Sequence, residues 1–146
     1  MSSSLQNLQF DDFKDVPGVS IHEPWASLIV AGYKDVENRK TRISHRGPLL
    51  IHASKTGERC GPEQLAEISA RHGVNIELID LQFGGIIGVA NVVDCVRGHP
   101  SPWSLPNQWQ WVLAEARQLA FRPCRGRQGL FYPGRENTQS STIHRR

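Results

Sequence analysis

The stretch Gly32-Tyr33-Lys34-Asp35-Val36-Glu37-Asn38-Arg39 has the form G-x-K-x-x-E-x-R and carries three side chains suited to chemistry. A lysine grips a phosphate as a point charge, or acts as a base once desolvated. A glutamate takes a proton or accepts a hydrogen bond from a base edge or a sugar hydroxyl. An arginine holds phosphate through two parallel hydrogen bonds. In a regular strand Glu37 and Arg39 share a face while Lys34 points the other way. Lys34 joins them only if the chain turns near Tyr33–Asp35. Read as surface groups, Glu37 and Arg39 make an exposed ion pair of little worth.

A second polar cluster lies at Ser44–Lys55. Arg46-Gly47-Pro48 is a turn that presents Arg46 at a strand start, and His52, Ser54 and Lys55 end the strand with proton-handling groups. Such a strand end lines a pocket, or else His52 is a core histidine and Ser54 a turn cap. Four tryptophans, Trp25, Trp103, Trp109 and Trp111, supply large flat surfaces. A tryptophan at a cleft mouth stacks a base for roughly 1–3 kcal/mol. Trp109 and Trp111 read as core, whereas Trp25 and Trp103 stay open between the two roles.

Charge points toward an anionic partner. Lys+Arg 17 against Asp+Glu 14 gives a net +3, and only Lys14, Lys34, Lys40 and Lys55 are lysines. Lys34–Lys55 holds six cations against two acids, and Arg117–Arg135 holds five arginines and no acid. Two basic stretches folded onto one face attract a polyanion, although arginine-rich runs also simply keep a surface soluble.

Other chemistries find no support. The six histidines show no ligand spacing, so neither a metal nor another cofactor is expected. Cys60, Cys95 and Cys124 are isolated thiols without a CxxC pair. No P-loop, GxGxxG after a strand, or GxSxG occurs. No apolar run approaches the ~18 residues of a membrane span, and Met1–Asp15 lacks the pattern of a secretory signal. The expected compartment is the cytoplasm, with no membrane partner.

The elements that must position these groups are short. The 146 residues suit one domain, and Gly 13 with Pro 9 punctuates it heavily. Residues 1–16 read as a flexible leader able to dock through Phe10 and Phe13, residues 17–134 as the folded body, and residues 135–146 as a disordered tail. Strands are expected at Val19–His22, Pro48–Ser54, Gly84–Val96 (with Gly88 at a bend or bulge) and Gly129–Tyr132, with an extended stretch around Val36. Helices are expected at Pro24–Ala31, capped by Gly32, and at Pro62–His72, stopped by Gly73. Trp109–Phe121 fits either a helix or a strand. The pattern suggests a small α+β barrel whose short helices plug its openings.

Taken together, these blocks resemble the ASCH family of the PUA-like superfamily, as a small bacterial-type single-domain member. The resemblance rests on Val19–Ala26, the GxKxxExR stretch, Arg46–Lys55, Gly85–Ala90 and Phe121–Phe131, in that order. It implies a PUA-like β-barrel with short helices flanking a cleft, and strands rather than a helix over Trp109–Phe121. It also implies that Lys34, Glu37 and Arg39 face that cleft. The family is associated with RNA as a binding module, and some members act as ribonucleases or as amidohydrolases on N4-acetylcytidine. In the amidohydrolase branch a threonine resembles the position of Glu37 and works with a lysine and a distant glutamate. Here Glu37 stands instead, and no distant glutamate can be assigned.

The first expectation is therefore a binder of RNA or a nucleotide, with DNA as a further possible ligand. Lys34 and Arg39 grip phosphate, Glu37 bonds a base or ribose, and Trp25 walls the cleft. Arg46, His52, Ser54, Lys55, Arg122 and Arg125 extend the binding surface. The alternatives are a hydrolase acting through Lys34 and Glu37 on RNA or a modified nucleoside, and a protein-interaction module.

Overall fold

The computed structural model describes residues 10–55 and 60–135. The greater part of the expected leader, 1–9, and of the expected tail, 136–146, lies outside the described residues. A 3-10 turn at Phe10–Phe13 buries Phe13 against Leu50, Ile86, Val89 and Leu119.

Among the described residues, five strands form one curled mixed sheet, flanked by short α-helices. They are β1 (Gly18–Ile21), β2 (Val36–Arg39), β3 (Gly47–Ala53), β4 (Gly85–Arg97) and β5 (Trp109–Pro123). The spatial order is β1-β3-β4-β5-β2, with β1 parallel to β3 and every other pair antiparallel. The helices are α1 (Trp25–Val30) and α2 (Pro62–His72).

The sheet curls because β4 and β5 are long and interrupted. Register shifts occur between Ile86 and Gly88, Val89 and Asn91, and Val92 and Asp94, and bulges of this kind bend and twist a strand. Gly88 sits at one of them, as its type suggested. A Cβ there would lie 2.6 Å from the Arg117 carbonyl oxygen and from Val30, so only glycine lets β4 approach both β5 and α1.

The curl brings the two sheet edges, β1 and β2, toward each other. In β1, alternate carbonyls face away from β3 and need other partners. The Gly18 carbonyl accepts from Phe131 N at 3.0 Å, and the Ser20 carbonyl accepts from Arg39 Nη2 at 2.8 Å. A guanidinium from β2 thus completes a barrel that the backbone leaves open.

Inside lies a core of Val19, Ile29, Leu49, Ile51, Ile87, Val92, Trp111 and their neighbours. Helix α1 is sunk into it: five of its six residues are buried, with Trp25 half-buried at its start. Sheet covers one flank of the helix, and α2 with the Ile76–Leu78 turn approaches the other.

Two expectations are resolved differently by tertiary context. Trp109–Phe121 is strand, because β5 finds partners on both sides in β4 and β2. Gly129–Tyr132 is not a strand: only Phe131 bridges to Gly18, and Gly129 takes a φ of +72°. That left-handed turn breaks an extended run before a ladder can form.

Candidate nucleic-acid interface

The GxKxxExR segment begins where α1 stops. Gly32 takes a φ of +90°, and the amides of Tyr33 and Lys34 both donate to the Leu28 carbonyl, each at 3.0 Å. Lys34 therefore sits in the turn that closes the helix, outside the β2 ladder. Strand alternation does not govern it, and its side chain folds back along β2. Nζ donates to the Val36 carbonyl at 2.6 Å and lies 3.5 Å from Glu37 Oε1.

Glu37 and Arg39 share the inner face of β2. Arg39 Nε donates to Glu37 Oε2 at 2.8 Å while Nη2 reaches the Ser20 carbonyl. The Arg39 guanidinium lies 5.6 Å from the Trp111 ring centroid. The result is a buried chain of alternating charge, Lys34–Glu37–Arg39, ending on a backbone carbonyl. The Lys34 and Glu37 side chains are only 5% and 10% exposed, against 27% for Arg39. Two of the three ammonium donors of Lys34 thus have protein partners among the described residues.

Burial pushes the Lys34 ammonium below the ordinary lysine value, opposed by the neighbouring Glu37 carboxylate. Like-charge repulsion from Arg39 acts in the same direction as burial but ranks last among the causes.

These three groups border a cavity of about 820 Å³ between the facing edges of β1 and β2. Its size suits a nucleotide-sized ligand. Aromatic groups line the same cavity. Trp25 and Trp103 meet edge to face, with centroids 6.4 Å apart, and the His72 imidazole stacks on Trp103 at 3.4 Å and 9°. Desolvation, Arg71 and Lys34, in that order, depress the His72 pKa. The neutral ring can therefore lie close to the basic floor.

Trp103 belongs to the 98–108 connection between β4 and β5, and polar side chains hold that connection in place. Trp103 Nε1 donates to the Tyr33 carbonyl at 2.9 Å, and Asn38 Nδ2 donates to the Trp103 carbonyl at 3.0 Å. Asn38 Oδ1 accepts from Leu105 N and from Gln110 Nε2, both at 3.0 Å. The fully buried Gln110 also donates to the carbonyls of Leu105 and Gln108 and accepts from His99 N. Leucine at position 110 keeps the volume but strands several buried polar groups. Gln110→Leu is expected to lower stability by about 1–3 kcal/mol and to loosen the Trp103 wall. Urea unfolding and hydrogen exchange at 99–108 check this.

Of the residues singled out from the sequence, Trp25, Lys34, Glu37 and Arg39 meet at this cavity. Arg46, His52, Ser54, Lys55, Arg122 and Arg125 do not border it. Arg46 pins the 40–46 segment through the carbonyls of Ile43 and His45. His52 is 1% exposed. Its Nε2 faces the Cys124 carbonyl at 2.6 Å, which can only accept, so that nitrogen carries the proton and Nδ1 accepts from Ser20 Oγ at 2.9 Å. Burial lowers its pKa, as fits a neutral core histidine. Arg122 lies 3.8 Å from Asp11, away from the cleft. The basic margin of the cavity comes instead from Lys40 and Arg71.

Sequence reasoning passed over His72, Arg71 and Asn38. The available signal was Pro100, Pro102 and Pro106 in one inter-strand connection, a spacing that stiffens a loop rather than ending a strand.

A profile of the ASCH domain matches residues 19–123, a span that begins in β1 and ends with β5. The chain belongs to the ASCH domain family. The curled mixed sheet with short helices is the PUA-like barrel that the family resemblance implied. This family is associated with RNA, which places the chain among nucleic-acid-binding folds. Two curated relatives are both named activating signal cointegrator 1. The mouse protein is 39% identical over 83 residues, covering 53% of this chain and 14% of the relative. The human protein is 36% identical over the same length and the same shares. The chain thus spans about one-seventh of the relatives it matches. Among the described residues no helix is long and apolar enough to cross a membrane, and no group of His, Cys, Asp and Glu is arranged to hold a metal ion.

Proposed function

We propose that this ASCH domain binds single-stranded RNA by taking one nucleotide into the cavity between β1 and β2. The observation that carries this reading is one nucleotide-sized cavity lined both by the charge chain Lys34–Glu37–Arg39 and by the aromatic pair Trp25 and Trp103. The floor supplies donors for a phosphate or a base edge. The aromatic side supplies a surface for a base, the arrangement that single-strand binders share. Glu37 fixes both cations and leaves the third ammonium hydrogen of Lys34 and Nη1 of Arg39 to meet a ligand.

The direct test is fluorescence anisotropy with a labelled oligouridine decamer at several salt concentrations. Affinity is expected to fall steeply as salt rises, and Lys34→Ala to weaken binding about tenfold or more. Affinity that ignores both salt and Lys34 would overturn the proposal and favour a protein-interaction role.

Acidity provides a second check. Lys34 must be charged to hold an anion, and burial lowers its pKa from 10.5. Decamer affinity is expected to decline as pH rises through that lowered value, before an ordinary lysine would titrate. The linked effect on stability has the opposite sign. Between the folded value and 10.5 the unfolded chain holds a proton that the folded chain has released, so this group's contribution to stability grows with pH. Lys34→Arg removes both trends, which binding and urea titrations across the alkaline range will show.

A hydrolase working in the same cavity is favoured by one observation: a buried lysine with a depressed pKa lies next to a buried carboxylate. In that reading Lys34, as neutral amine, takes a proton from the attacking group. Incubation with the decamer and with N4-acetylcytidine, followed by mass spectrometry, separates the readings. Turnover that Lys34→Ala abolishes would establish the enzyme.

A further inference from the structure

The cavity does not end the basic surface. At the Arg39 end of β2 a row of paired residues crosses three strands: Arg39 on β2 pairs with Trp109 on β5, which pairs with Arg97 on β4. Cross-strand partners share a sheet face, so this row lies at the mouth of the curled sheet. The chain leaving β2 then passes over that mouth. Thr41 accepts from Trp111 Nε1 at 3.0 Å, and Ile43 is buried with its amide 3.5 Å from Cys95 Sγ. This crossing places Arg42 against the same indole.

The Arg42 guanidinium lies 5.1 Å from the Trp109 ring centroid, and that of Arg97 lies 5.2 Å from it. Two cations therefore sit within about 10 Å of each other, around one half-buried ring. Among the described residues no carboxylate comes within ion-pair distance of Arg42, Arg97 or the adjacent Lys40. Arg97 is held by the Asn107 carbonyl at 3.3 Å, a neutral partner. Lys40 and Gln108, each next in sequence to a residue of the row, border the cavity. The positive patch and the cavity are thus one continuous surface.

We propose that Lys40, Arg42 and Arg97, set around Trp109, form a backbone track for the nucleotides flanking the one held in the cavity, so that the ligand is an RNA strand and not a free nucleotide. This rests on the cavity reading and extends it. The indole fixes the two guanidinium planes by cation–π contact, leaving their edges to meet phosphates. A phosphodiester running past Trp109 gives both arginines an anionic partner, which a neutral or single-phosphate ligand held in the cavity does not.

The experiment compares two labelled ligands, the oligouridine decamer and uridine monophosphate, on the wild type, Arg42→Ala/Arg97→Ala and Lys34→Ala. The double variant is expected to weaken decamer binding about tenfold. It is also expected to reduce the slope of log affinity against log salt by ~1.4, as for two lost single-strand phosphate contacts. Monophosphate binding should be unchanged. Arg42→Lys/Arg97→Lys should keep most of the salt slope, which a purely structural role for the arginines would not predict. Thermal unfolding confirms that each variant is folded. Unchanged decamer affinity and slope in the folded double variant would overturn the track. If instead Lys34→Ala has no effect while the double variant loses the decamer, the track stands and the cavity reading falls.

Discussion

Glu37→Ala is expected to destabilise the domain by about 3 kcal/mol and to abolish RNA binding. Glu37 is the sole carboxylate in the chain Lys34–Glu37–Arg39, and both cations contact it. Removing one member of a buried ion pair costs roughly 3–5 kcal/mol, because the other charge is left desolvated. The lower end applies here, since Arg39 is 27% exposed and keeps water on its charge. Arg39 would lose the contact that aims Nη2 at the Ser20 carbonyl, and with it the bridge between β2 and β1. Urea unfolding of the variant measures the loss. The companion variant Lys34→Met/Glu37→Ala distinguishes an orphaned charge from lost packing. It removes the stranded ammonium, so its stability should exceed that of Glu37→Ala alone. Equal or lower stability of the double variant would mean that the charge chain is not what holds this region.

Trp103→Ala is expected to cost about 3 kcal/mol and to weaken decamer binding, because it removes the support of His72 and Trp25 at the cavity. Trp103 is 7% exposed and joins three parts of the molecule. It packs with Leu28 of α1 and Val36 of β2, carries the stacked His72 of α2, and donates to the Tyr33 carbonyl. Trp103→Phe separates these roles. A phenyl ring keeps a flat face but cannot donate to Tyr33, so the fold should be largely retained and the affinity only partly reduced. Thermal melts and anisotropy on both variants check the two effects. Full affinity in a folded Trp103→Ala protein would remove the aromatic side from the binding reading.

These two residues differ in how visible they are from the sequence. Glu37 stands in a motif whose spacing announces it. Trp103 stands among prolines and serines, with nothing local to tie it to Lys34, because the tie is a hydrogen-bonded network through Asn38 and Gln110. Such a network joins residues 65 and 72 positions apart, beyond the reach of any periodicity. His52 shows the reverse case. A histidine at a strand end followed by Ser54 and Lys55 suggests a pocket, yet the pairing of β3 with β1 turns it toward Ser20 and Cys124, where both ring nitrogens are satisfied.

Local chemistry in the chain already determined most of the elements. Proline and glycine mark both helices, the Arg46-Gly47-Pro48 turn and the apolar run after it mark β3, a β-branched run marks β4, and Gly88 marks a bulge, since turn geometry and strand propensity act over a few residues. The motif Lys34–Glu37–Arg39 was equally legible as a charge cluster. Only the tertiary structure decided that Lys34 escapes strand alternation, that β5 is a strand, and that the basic margin is Lys40 and Arg71 rather than Arg46, Lys55, Arg122 and Arg125. Each of those outcomes depends on which segments become neighbours when the sheet curls. That is set by the burial of distant apolar side chains and the pairing of distant backbone groups, which no stretch of sequence carries by itself.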